Sequence, residues 1–343
     1  MLLLLTGCTG YVGPVMMQTL RAAGHEVVGV DTDFFSDCDF GGAATPDPAV
    51  RKDVRDLGAE DLSGIEAVVH LAALSNDPIG ELDPRLTDEI NYRASARLAE
   101  LAKAAGVRRF VFASSCSMYG ATGQDLVDEQ APLQPLSAYA ASKVRTEARL
   151  HELADETFSP VLMRNATVYG VSPRHRLDLV LNNLVAWAYL TGRVRVLSDG
   201  TPWRPIVHVE DMCAAFAAVL AAPTGAVHNQ AFNVGSNAQN YRVIDLARIV
   251  AEVIPKSQVE VAAEAGPDSR SYRVDFSKLR TVVPGFRPRW DARLGAEQLY
   301  QAYRDNGLRE EDLHGRRYVR LRQVQHLLLT QRVDGSLRWK RVN

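Results

Sequence analysis

Tyr139 and Lys143 are the residues whose types and spacing most directly suggest chemistry, and they lie in the run Ser137-Ala-Tyr-Ala-Ala-Ser-Lys143. On a helix, residues four apart share one face. A neighbouring ammonium favours the phenolate form, so this tyrosine could exchange a proton near neutral pH although a free tyrosine titrates near ~10. The pair therefore predicts an acid–base unit on a helix.

A glycine-rich turn, Thr6-Gly-Cys-Thr-Gly-Tyr-Val-Gly13, lies far upstream, between a predicted strand at Leu2–Thr6 and a predicted helix at 14–23. A dinucleotide diphosphate needs such a close backbone approach and a helix N-terminus. The spacing differs from Gly-x-Gly-x-x-Gly, so a tight turn without a ligand is the alternative interpretation. Asp31 at the end of the next strand favours the cofactor site. Its carboxylate can bind the adenosine ribose hydroxyls and repels a 2′-phosphate, which favours NAD over NADP.

Other polar or small residues follow later strands, where the active sites of open parallel sheets lie. Asp53 could meet an adenine amino group, or it could be an exposed loop acid. Leu71-Ala-Ala73 offers small side chains beside a cofactor, or merely a strand end. Phe112-Ala-Ser-Ser-Cys-Ser-Met-Tyr-Gly120 places three hydroxyls and a thiol after a strand, and a serine-rich turn is its structural alternative.

The elements that position these residues indicate an α/β protein. Apolar strands are predicted at 2–6, 26–30, 67–71, 109–114 and 160–164, with helices between them, which is typical of a parallel sheet covered on both faces. We expect a Rossmann-type doubly wound parallel sheet with a smaller mixed α/β substrate lobe. Residues 1–170, with returning segments at about 204–240, form the predicted NAD-binding domain. Residues 171–203 and 241–343 form the predicted substrate lobe and C-terminal tail, whose basic last helix we expect on the small lobe.

Composition narrows the class of protein. The net charge is −2, so a nucleic-acid-binding or anionic-membrane-binding role is not expected. No apolar run approaches the ~20 residues of a membrane span, and no basic leader is evident, so a cytoplasmic protein is expected. The four cysteines are scattered and the eight histidines are not ligand-spaced, which predicts reduced thiols and no metal.

These motifs together resemble the extended short-chain dehydrogenase/reductase family, in its NAD-dependent nucleotide-sugar epimerase/dehydratase branch, over roughly residues 1–300. The resemblance also rests on Asn91, Val168-Tyr-Gly170 and Arg204 with His208-Val-x-Asp211. It implies that Ser115 holds a sugar hydroxyl, Tyr139 is the general base and Lys143 binds the nicotinamide ribose. The implied cofactor-binding residues are Gly7, Gly10, Tyr11, Val12, Gly13, Asp31, Asp53, Val54, Leu71, Ala72, Ala73, Asn91 and Lys143. The implied residues for a nucleoside-diphosphate sugar are Ser75, Cys116, Ser117, Thr167, Asn182, Arg204 and Arg270.

Departures from the family pattern narrow the reaction. Dehydrating members carry Asp-Glu after the catalytic serine or threonine, where this chain has Cys116 and Ser117. Members that epimerise C3 and C5 carry cysteine at position 117, one residue later than the thiol here. We therefore expect an NAD-dependent epimerase that transiently oxidises a sugar hydroxyl at C4. A hexose or heptose 4-dehydrogenase/ketoreductase is the alternative, and an NAD-sensing regulator is a remote one. The resemblance also implies a homodimer, formed by helices at about 87–105 and 138–153.

Overall fold

The computed structural model describes residues 1–42, 49–122, 126–266 and 271–340, in which strands and helices alternate along most of the chain. The strands are β1 (Leu2–Thr6), β2 (Glu26–Asp31), β3 (Val50–Arg51), β4 (Ala67–His70), β5 (Arg109–Ser115), β6 (Leu126–Val127), β7 (Ser159–Asn165), β8 (Thr167–Tyr169), β9 (Arg193–Ser198), β10 (Trp203–His208), β11 (Gln230–Val234), β12 (Asn240–Arg242), β13 (Gln258–Gly266) and β14 (Arg273–Val274). The α-helices are α1 (Gly13–Ala22), α2 (Asp77–Gly80), α3 (Pro84–Thr87), α4 (Ala94–Ala104), α5 (Ala138–Leu153), α6 (Val180–Thr191), α7 (Val209–Ala221), α8 (Thr224–Val227), α9 (Val243–Val253), α10 (Ser277–Val282), α11 (Ala292–Asp305), α12 (Glu310–His314) and α13 (Arg320–Leu329).

A seven-stranded parallel sheet organises the larger lobe, in the order β11-β7-β5-β4-β1-β2-β3. Every residue of β4 and of β7 is buried. The apolar runs Ala67–Val69 and Pro160–Met163 within these strands are typical of a sheet that helices cover on each side. The predicted Rossmann-type α/β fold is confirmed.

Helices cover the two faces of this sheet in separate clusters. Met16 and Leu20 of α1 and Phe216 of α7 belong to the core on one face. Leu98 of α4 and Leu150 of α5 belong to the core on the other face. The chain thereby places the carboxyl ends of β1, β2, β4 and β5 at one open edge, where the predicted site residues lie.

The smaller lobe has its own core, built from α6, α9, α11 and strand β9. Leu184, Val194, Val250 and Leu299 are among its buried members. The three-stranded sheet β12-β10-β8 lies alongside, with β8 directly after the last residues of β7. This arrangement places Thr167 and Arg204 on neighbouring strands next to the larger lobe.

The sequence pattern predicts one continuous helix at 87–105, but the structure divides this region into α3, a π-helical stretch and α4. A π-helical stretch, Asp88–Arg93, separates α3 from α4. The wider π turn contains Asn91, whose carbonyl accepts the Ser95 hydroxyl at 2.6 Å. Widened turns of this kind occur where a helix accommodates a local contact, and periodicity alone does not reveal them.

The C-terminal helix packs on the larger lobe, which differs from the predicted position on the small lobe. We call residues 316–340, which include α13, the C-terminal strap. Val324 and Leu327 of the strap belong to the core beside β1 and β4. The indole Nε1 of Trp339 donates to the carbonyl of Thr32 at 2.6 Å. The basic, partly amphipathic pattern of this segment predicts a terminal helix but does not reveal the lobe on which it packs.

Ion pairs and hydrogen bonds tie the strap to the loops after β2 and β3. Arg332 lies 3.3 Å from Asp37. Arg338 lies 3.5 Å from Asp53. Arg55 donates to the carbonyl of Ser336 at 2.9 Å. The strap therefore borders the side of the sheet on which Asp31 and Asp53 lie.

All four cysteines are buried free thiols. In the described part of the chain, no group of histidine, cysteine and acidic residues could hold a metal ion. None of the helices within those ranges is long and apolar enough to cross a bilayer.

Candidate active site

A cavity of about 470 Å³ runs along the open edge of the parallel sheet and extends to the small lobe. It brings together most of the residues that the sequence predicted. The predicted residues in its wall are Gly7, Gly10, Tyr11, Val12, Gly13, Asp31, Asp53, Val54, Leu71, Ala72, Ala73, Ser75, Ser115, Ser117, Tyr139, Lys143, Thr167 and Arg204.

The glycine turn permits a close backbone approach at one end of this cavity. Gly7 has φ +76°, and a Cβ there would lie 2.8 Å from the backbone nitrogen of Ala72. A Cβ on Gly13 would lie 2.3 Å from the carbonyl oxygen of Cys8. The turn leads directly into α1, whose first N–H groups favour an anion. These features fit the diphosphate of a dinucleotide.

Asp31 presents a fixed carboxylate where the adenosine ribose is expected. It accepts hydrogen bonds from the backbone N–H of Thr9 at 3.0 Å and of Asp33 at 2.8 Å. Asp33 is itself buried and pairs with Arg51 at 2.5 Å. Asp31 lies in the cavity wall, where its carboxylate suits ribose hydroxyls and opposes a 2′-phosphate.

Asp53 lines the cavity, but its oxygens are already engaged by Arg55. One oxygen accepts from the Arg55 backbone N–H at 2.8 Å, and the other accepts from its guanidinium at 2.7 Å. Arg338 of the strap lies nearby at 3.5 Å. An adenine contact, which the sequence predicted for Asp53, would share the carboxylate with these partners.

The predicted acid–base unit forms on α5, whose first turn is capped by the Ser137 hydroxyl. The ammonium of Lys143 donates to the carbonyl of Ala113 at 2.7 Å and lies 5.6 Å from the Tyr139 ring centroid. Tyr139 hydrogen-bonds to Ser115, whose Oγ also donates to the hydroxyl of Ser117 at 2.9 Å. The last residue of β5 and the first turn of α5 thus bring a hydroxyl, a phenol and an amine together.

Burial dominates the electrostatics of this unit. It raises the pKa of Tyr139 to about 12, against which the Ser115 hydrogen bond acts. It lowers the pKa of Lys143 to about 7, although Glu147 acts in the opposite direction. The predicted lowering of the Tyr139 pKa by Lys143 is not seen in this structure, because burial of the phenol raises its pKa.

Cys116 does not lie in the cavity wall, which corrects its assignment as a substrate contact. Its side chain is fully buried, and the thiol lies 3.1 Å from the carbonyl oxygen of Arg164. The strand ends at Ser115 and a 3₁₀ turn begins at Cys116. Side chains on the two sides of this junction point in different directions, so Ser115 faces the cavity and the thiol faces the core.

Two predicted asparagines also lie behind the wall and support its loops. Asn91 accepts from the Leu74 N–H at 2.7 Å and donates to the Leu74 carbonyl at 3.1 Å, which fixes the loop after β4. Asn182 accepts from the N–H of Gly170 at 3.0 Å and donates to the carbonyl of Arg176 at 2.9 Å. Both are positioning residues instead of direct contacts. Arg270 lies outside the described residues.

A buried polar network that the sequence did not predict lies beside Tyr139. Arg176 Nε donates to Asp178 at 2.7 Å, and its Nη1 donates to the Ser75 hydroxyl at 3.2 Å. Asn76 donates to the second oxygen of Asp178 at 3.1 Å. The network joins the loop after β4 to the loop before α6, and a lone Arg-x-Asp pattern gave no local signal of that contact.

At the small-lobe end, Arg204 and Tyr272 line the cavity together. The Arg204 guanidinium lies 5.9 Å from the Tyr272 ring centroid. Thr167 is close by, because its strand pairs with the strand that carries Arg204. The next residue after Tyr272, Arg273, has its guanidinium 4.8 Å from the Trp203 ring centroid and is not part of the cavity wall. A cation beside an aromatic ring is suited to a nucleoside diphosphate.

Comparison with known proteins agrees with this geometry. The sequence model of the family described as "NAD dependent epimerase/dehydratase family" matches residues 3–235 of this chain. A UDP-glucose 4-epimerase from Mycolicibacterium smegmatis is 30% identical over 318 residues, which cover 88% of this chain and 98% of that protein. About a tenth of this chain is thus unmatched, although nearly the whole relative is matched.

Two solved structures have the same fold. One is TunA, an NAD-dependent NDP-hexosamine 5,6-dehydratase of tunicamycin biosynthesis, with 26% identity, a TM-score of 0.77, and coverage of 88% of this chain and 97% of its own. The other is MoeE5 in complex with UDP-glucuronic acid and NAD, with 28% identity, a TM-score of 0.73, and coverage of 88% and 98%.

The residues present fit NAD at both ends of the cofactor. The glycine turn packs tightly against the backbone because Gly7 and Gly13 lack a Cβ, which brings its N–H groups to the cavity wall, and the Asp31 carboxylate is fixed beside it. Lys143 and Tyr139 lie further along the same cavity. The cofactor is NAD, and the chain is an enzyme that belongs to the NAD-dependent epimerase/dehydratase family, within the extended short-chain dehydrogenases/reductases.

Proposed function

We propose that this enzyme is a nucleotide-sugar epimerase that inverts the sugar at C4 through a transient keto-sugar. One observation carries the proposal. Ser115, Tyr139 and Lys143 meet in the cavity, while the thiol of Cys116 is buried away from it and position 117 offers only a hydroxyl. The loop after β5 therefore supplies one proton-handling unit and no second one.

In this proposal, each residue of the unit has a distinct task. Ser115 holds the C4 hydroxyl, and Tyr139 removes its proton. Lys143 binds the nicotinamide ribose. When bound, NAD supplies a hydride acceptor that can also return the hydride, together with a positive ring that favours the phenolate. Inversion follows if the keto-sugar turns its other face before reduction, and Tyr139 then returns the proton.

The small-lobe end of the cavity supports a nucleoside-diphosphate substrate. Arg204 can pair with phosphate oxygens through its planar guanidinium, and the Tyr272 ring lies beside it. MoeE5, which has the same fold, binds a substrate of this class. We infer that the diphosphate of the substrate lies near Arg204, with its sugar toward Tyr139.

A dehydratase would need a further acid or base near the sugar. Besides Asp31 and Asp53 at the adenosine end, two further carboxylates, Asp77 and Asp178, do lie in the cavity wall. Asp178 forms a double ion pair with Arg176, and Asp77 accepts the Ser137 hydroxyl at 2.5 Å. Because both carboxylates already have such partners, elimination is less well supported than epimerisation.

A 4-dehydrogenase/ketoreductase uses the same residues and differs only in whether the keto-sugar and NADH leave. The C-terminal strap borders the adenosine side of the cofactor cavity through Trp339 and Arg338. If the strap holds the cofactor from this side, NADH stays bound after the oxidation. It can then return the hydride to the keto-sugar within one catalytic cycle. The regulator hypothesis is not favoured, because Tyr139 and Lys143 retain a geometry suited to proton transfer.

The test is to incubate the purified protein with a panel of UDP-, dTDP-, GDP- and CDP-sugars while following NADH absorbance and the sugar NMR spectrum. Epimerisation predicts a new C4 stereoisomer with no net NADH. Stoichiometric NADH with a released keto-sugar would establish the dehydrogenase, and loss of water from the sugar would establish a dehydratase. Tyr139→Phe serves as the inactive control in each arm.

A further inference from the structure

Arg320 is a buried cation in the wall of the dinucleotide cavity, and it comes from the C-terminal strap. Its side chain is 2% exposed, and its guanidinium lies 4.2 Å from the Phe35 ring centroid. Nη2 donates to the carbonyl of Arg174 at 2.6 Å. Nη1 has no hydrogen-bond acceptor among the described residues.

Three other strap arginines differ from Arg320 because each has a carboxylate partner. Arg332 and Arg316 pair with Asp37, and Arg338 pairs with Asp53. Within the described ranges, Arg320 has no carboxylate at ion-pair distance. Burial lowers its pKa to about 10, and the neighbouring Arg176 and Arg174 act in the same direction, whereas Asp178 acts in the opposite one. A buried charge without a partner is costly, so a chain gains from it when a bound anion supplies the partner.

Arg320 lies between the two ends of the cofactor cavity. Phe35, on which it stacks, follows Asp31 at the adenosine end. Arg320 also donates to the carbonyl of Arg174. That residue lies two positions before Arg176, which pairs with Asp178 beside Tyr139. The α13 helix also contacts α2, which follows the loop after β4. The middle of a dinucleotide that extends from Asp31 to Tyr139 is its diphosphate.

Two other cations in the cavity wall already have carboxylate partners. Lys52 binds Asp61 at 2.6 Å, and Arg176 binds Asp178 at 2.7 Å. The glycine turn offers N–H groups and the α1 dipole but no full positive charge. A guanidinium fork suits the two phosphates of a diphosphate.

We propose that Arg320 binds the diphosphate of NAD and that the C-terminal strap thereby holds the cofactor in place. This inference rests on the NAD site and does not depend on the proposed epimerase reaction. The bound diphosphate neutralises the buried guanidinium, so cofactor binding and docking of the strap stabilise each other. Exchange of NAD then requires the strap to release Arg320.

The test compares Arg320→Met with Arg322→Met, an exposed arginine on the same helix. Both full-length variants are stripped of nucleotide and titrated by calorimetry with NAD, ADP, adenosine and UDP. Arg320→Met should weaken NAD and ADP roughly ten- to hundredfold, the value of a lost charge-assisted hydrogen bond. Adenosine lacks the diphosphate, so its affinity should not change. Arg322→Met should bind all four ligands like the parent protein.

Thermal unfolding gives a second readout that an ordinary structural role would not produce. Without nucleotide, Arg320→Met should unfold at the same or a higher temperature, because it removes an uncompensated buried charge. With saturating NAD, its gain in melting temperature should be smaller than that of the parent protein. Arg320→Lys keeps the positive charge but not the guanidinium fork, so its gain in melting temperature with NAD should lie between those of Arg320→Met and the parent protein. This variant also keeps the test informative if Arg320→Met does not fold.

Several outcomes would overturn the proposal. Unchanged NAD and ADP binding means that Arg320 does not touch the diphosphate. An equal loss for adenosine means that it only supports the cavity wall. A loss confined to UDP in the presence of NAD assigns Arg320 to the substrate diphosphate, and a loss confined to NADP in a parallel titration assigns it to a 2′-phosphate.

Discussion

Glu147 and Arg164 form a buried ion pair with a shortest distance of 2.6 Å between Arg164 Nη2 and Glu147 Oε2. Their side chains are 3% and 6% exposed. Glu147 lies one helical turn after Lys143 on α5, and Arg164 lies on β7. The pair therefore anchors the catalytic helix to the sheet and places a negative charge near the Lys143 amine.

Replacing Glu147 by Gln should destabilise the protein strongly, because Arg164 would remain buried without its counter-charge. The expected loss in free energy of unfolding is about 3–5 kcal/mol. The change should also lower the pKa of Lys143 further, since Glu147 supports its protonated form. Urea unfolding measures the loss, and the exposed Glu152→Gln, which breaks a surface pair with Arg149, is the control. Equal midpoints for the two variants would show that the buried pair does not anchor α5.

Tyr139→Phe should retain cofactor and substrate binding but lose turnover by about 10²–10⁴, the usual contribution of a general base. The ring keeps its packing, and only the hydroxyl that bonds to Ser115 is removed. Steady-state kinetics and NAD calorimetry separate the two effects. Tyr300→Phe, which changes a tyrosine outside the cavity wall, is the control. A near-normal rate for Tyr139→Phe would remove the phenol from the mechanism.

Cys116→Ala should keep kcat within about threefold of the parent value, because the thiol faces the core. Its cost should appear instead as roughly 1 kcal/mol of unfolding free energy, typical of a small truncation in a core. Sugar NMR in deuterated water provides the sharper measurement. If the variant binds substrate but no longer exchanges protons next to the keto carbon, the enzyme is of the 3,5-epimerising type and the C4 proposal is wrong.

Lys143 should make the stability of the nucleotide-stripped protein depend on pH. Burial lowers its folded pKa to about 7, and the unfolded chain has the ordinary value near ~10.5. Between these values the unfolded state binds a proton that the folded state does not. Stability from this group therefore increases as pH rises above about 7, by at most about 1.4 kcal/mol per pH unit.

Urea unfolding between pH 6 and 9.5 measures this dependence, and Lys143→Met should lack the contribution. A parent protein and variant with the same pH slope would show that the amine titrates normally. The subtraction of the two curves isolates Lys143 from other groups that titrate in the same range.

The sequence defined some parts of this fold well because their signals are local. The strand at Leu2–Thr6 and the helix at Ala138–Leu153 have the predicted bounds. The apolar run marks the first, and in the structure the Ser137 side chain caps the start of the second. The strap could not be placed in this way. Its bond from Trp339 to Thr32 joins residues 307 positions apart, and no local pattern encodes such a contact.

The site residues likewise fall into two groups: those that local spacing motifs predict and those that only long-range contacts place in the site. The glycine turn and the Tyr139–Lys143 pair are spacing motifs, and the structure brings them into one cavity. Cys116 was assigned to the substrate because it follows Ser115 in sequence, yet its thiol points away from the cavity, as alternation along the strand would give. Arg320 gave no signal, because in sequence it is one arginine among many in a basic segment.

The enzyme should form a homodimer through the face shared by α3, α4 and α5. A surface depression between α3, the π-helical stretch that follows it and the start of α5 is lined by Pro84, Ala138 and Ala141 together with charged residues such as Asp88 and Arg145. Small side chains on paired helices allow close helix packing across a two-fold axis. Ala141→Arg should therefore lower the mass measured by light scattering from dimer to monomer at micromolar concentration.

Leu294→Arg, on the exposed side of α11 in the small lobe, is the matched control and should leave the mass unchanged. A monomeric parent protein would contradict the dimer prediction. A dimer that persists in Ala141→Arg would place the interface on another face.

The buried cysteines give the native protein its own reporters of local opening. Thiol reagents attack the thiolate, and burial raises the pKa of Cys38 and Cys213 in addition to shielding them. Modification therefore requires a transient opening of the surrounding structure. Cys38 lies in the segment beneath the strap, next to the Asp37 that Arg332 binds, whereas Cys213 lies in the core behind the sheet. The ratio of their labelling rates thus separates release of the strap from unfolding of the whole domain, in the unaltered sequence.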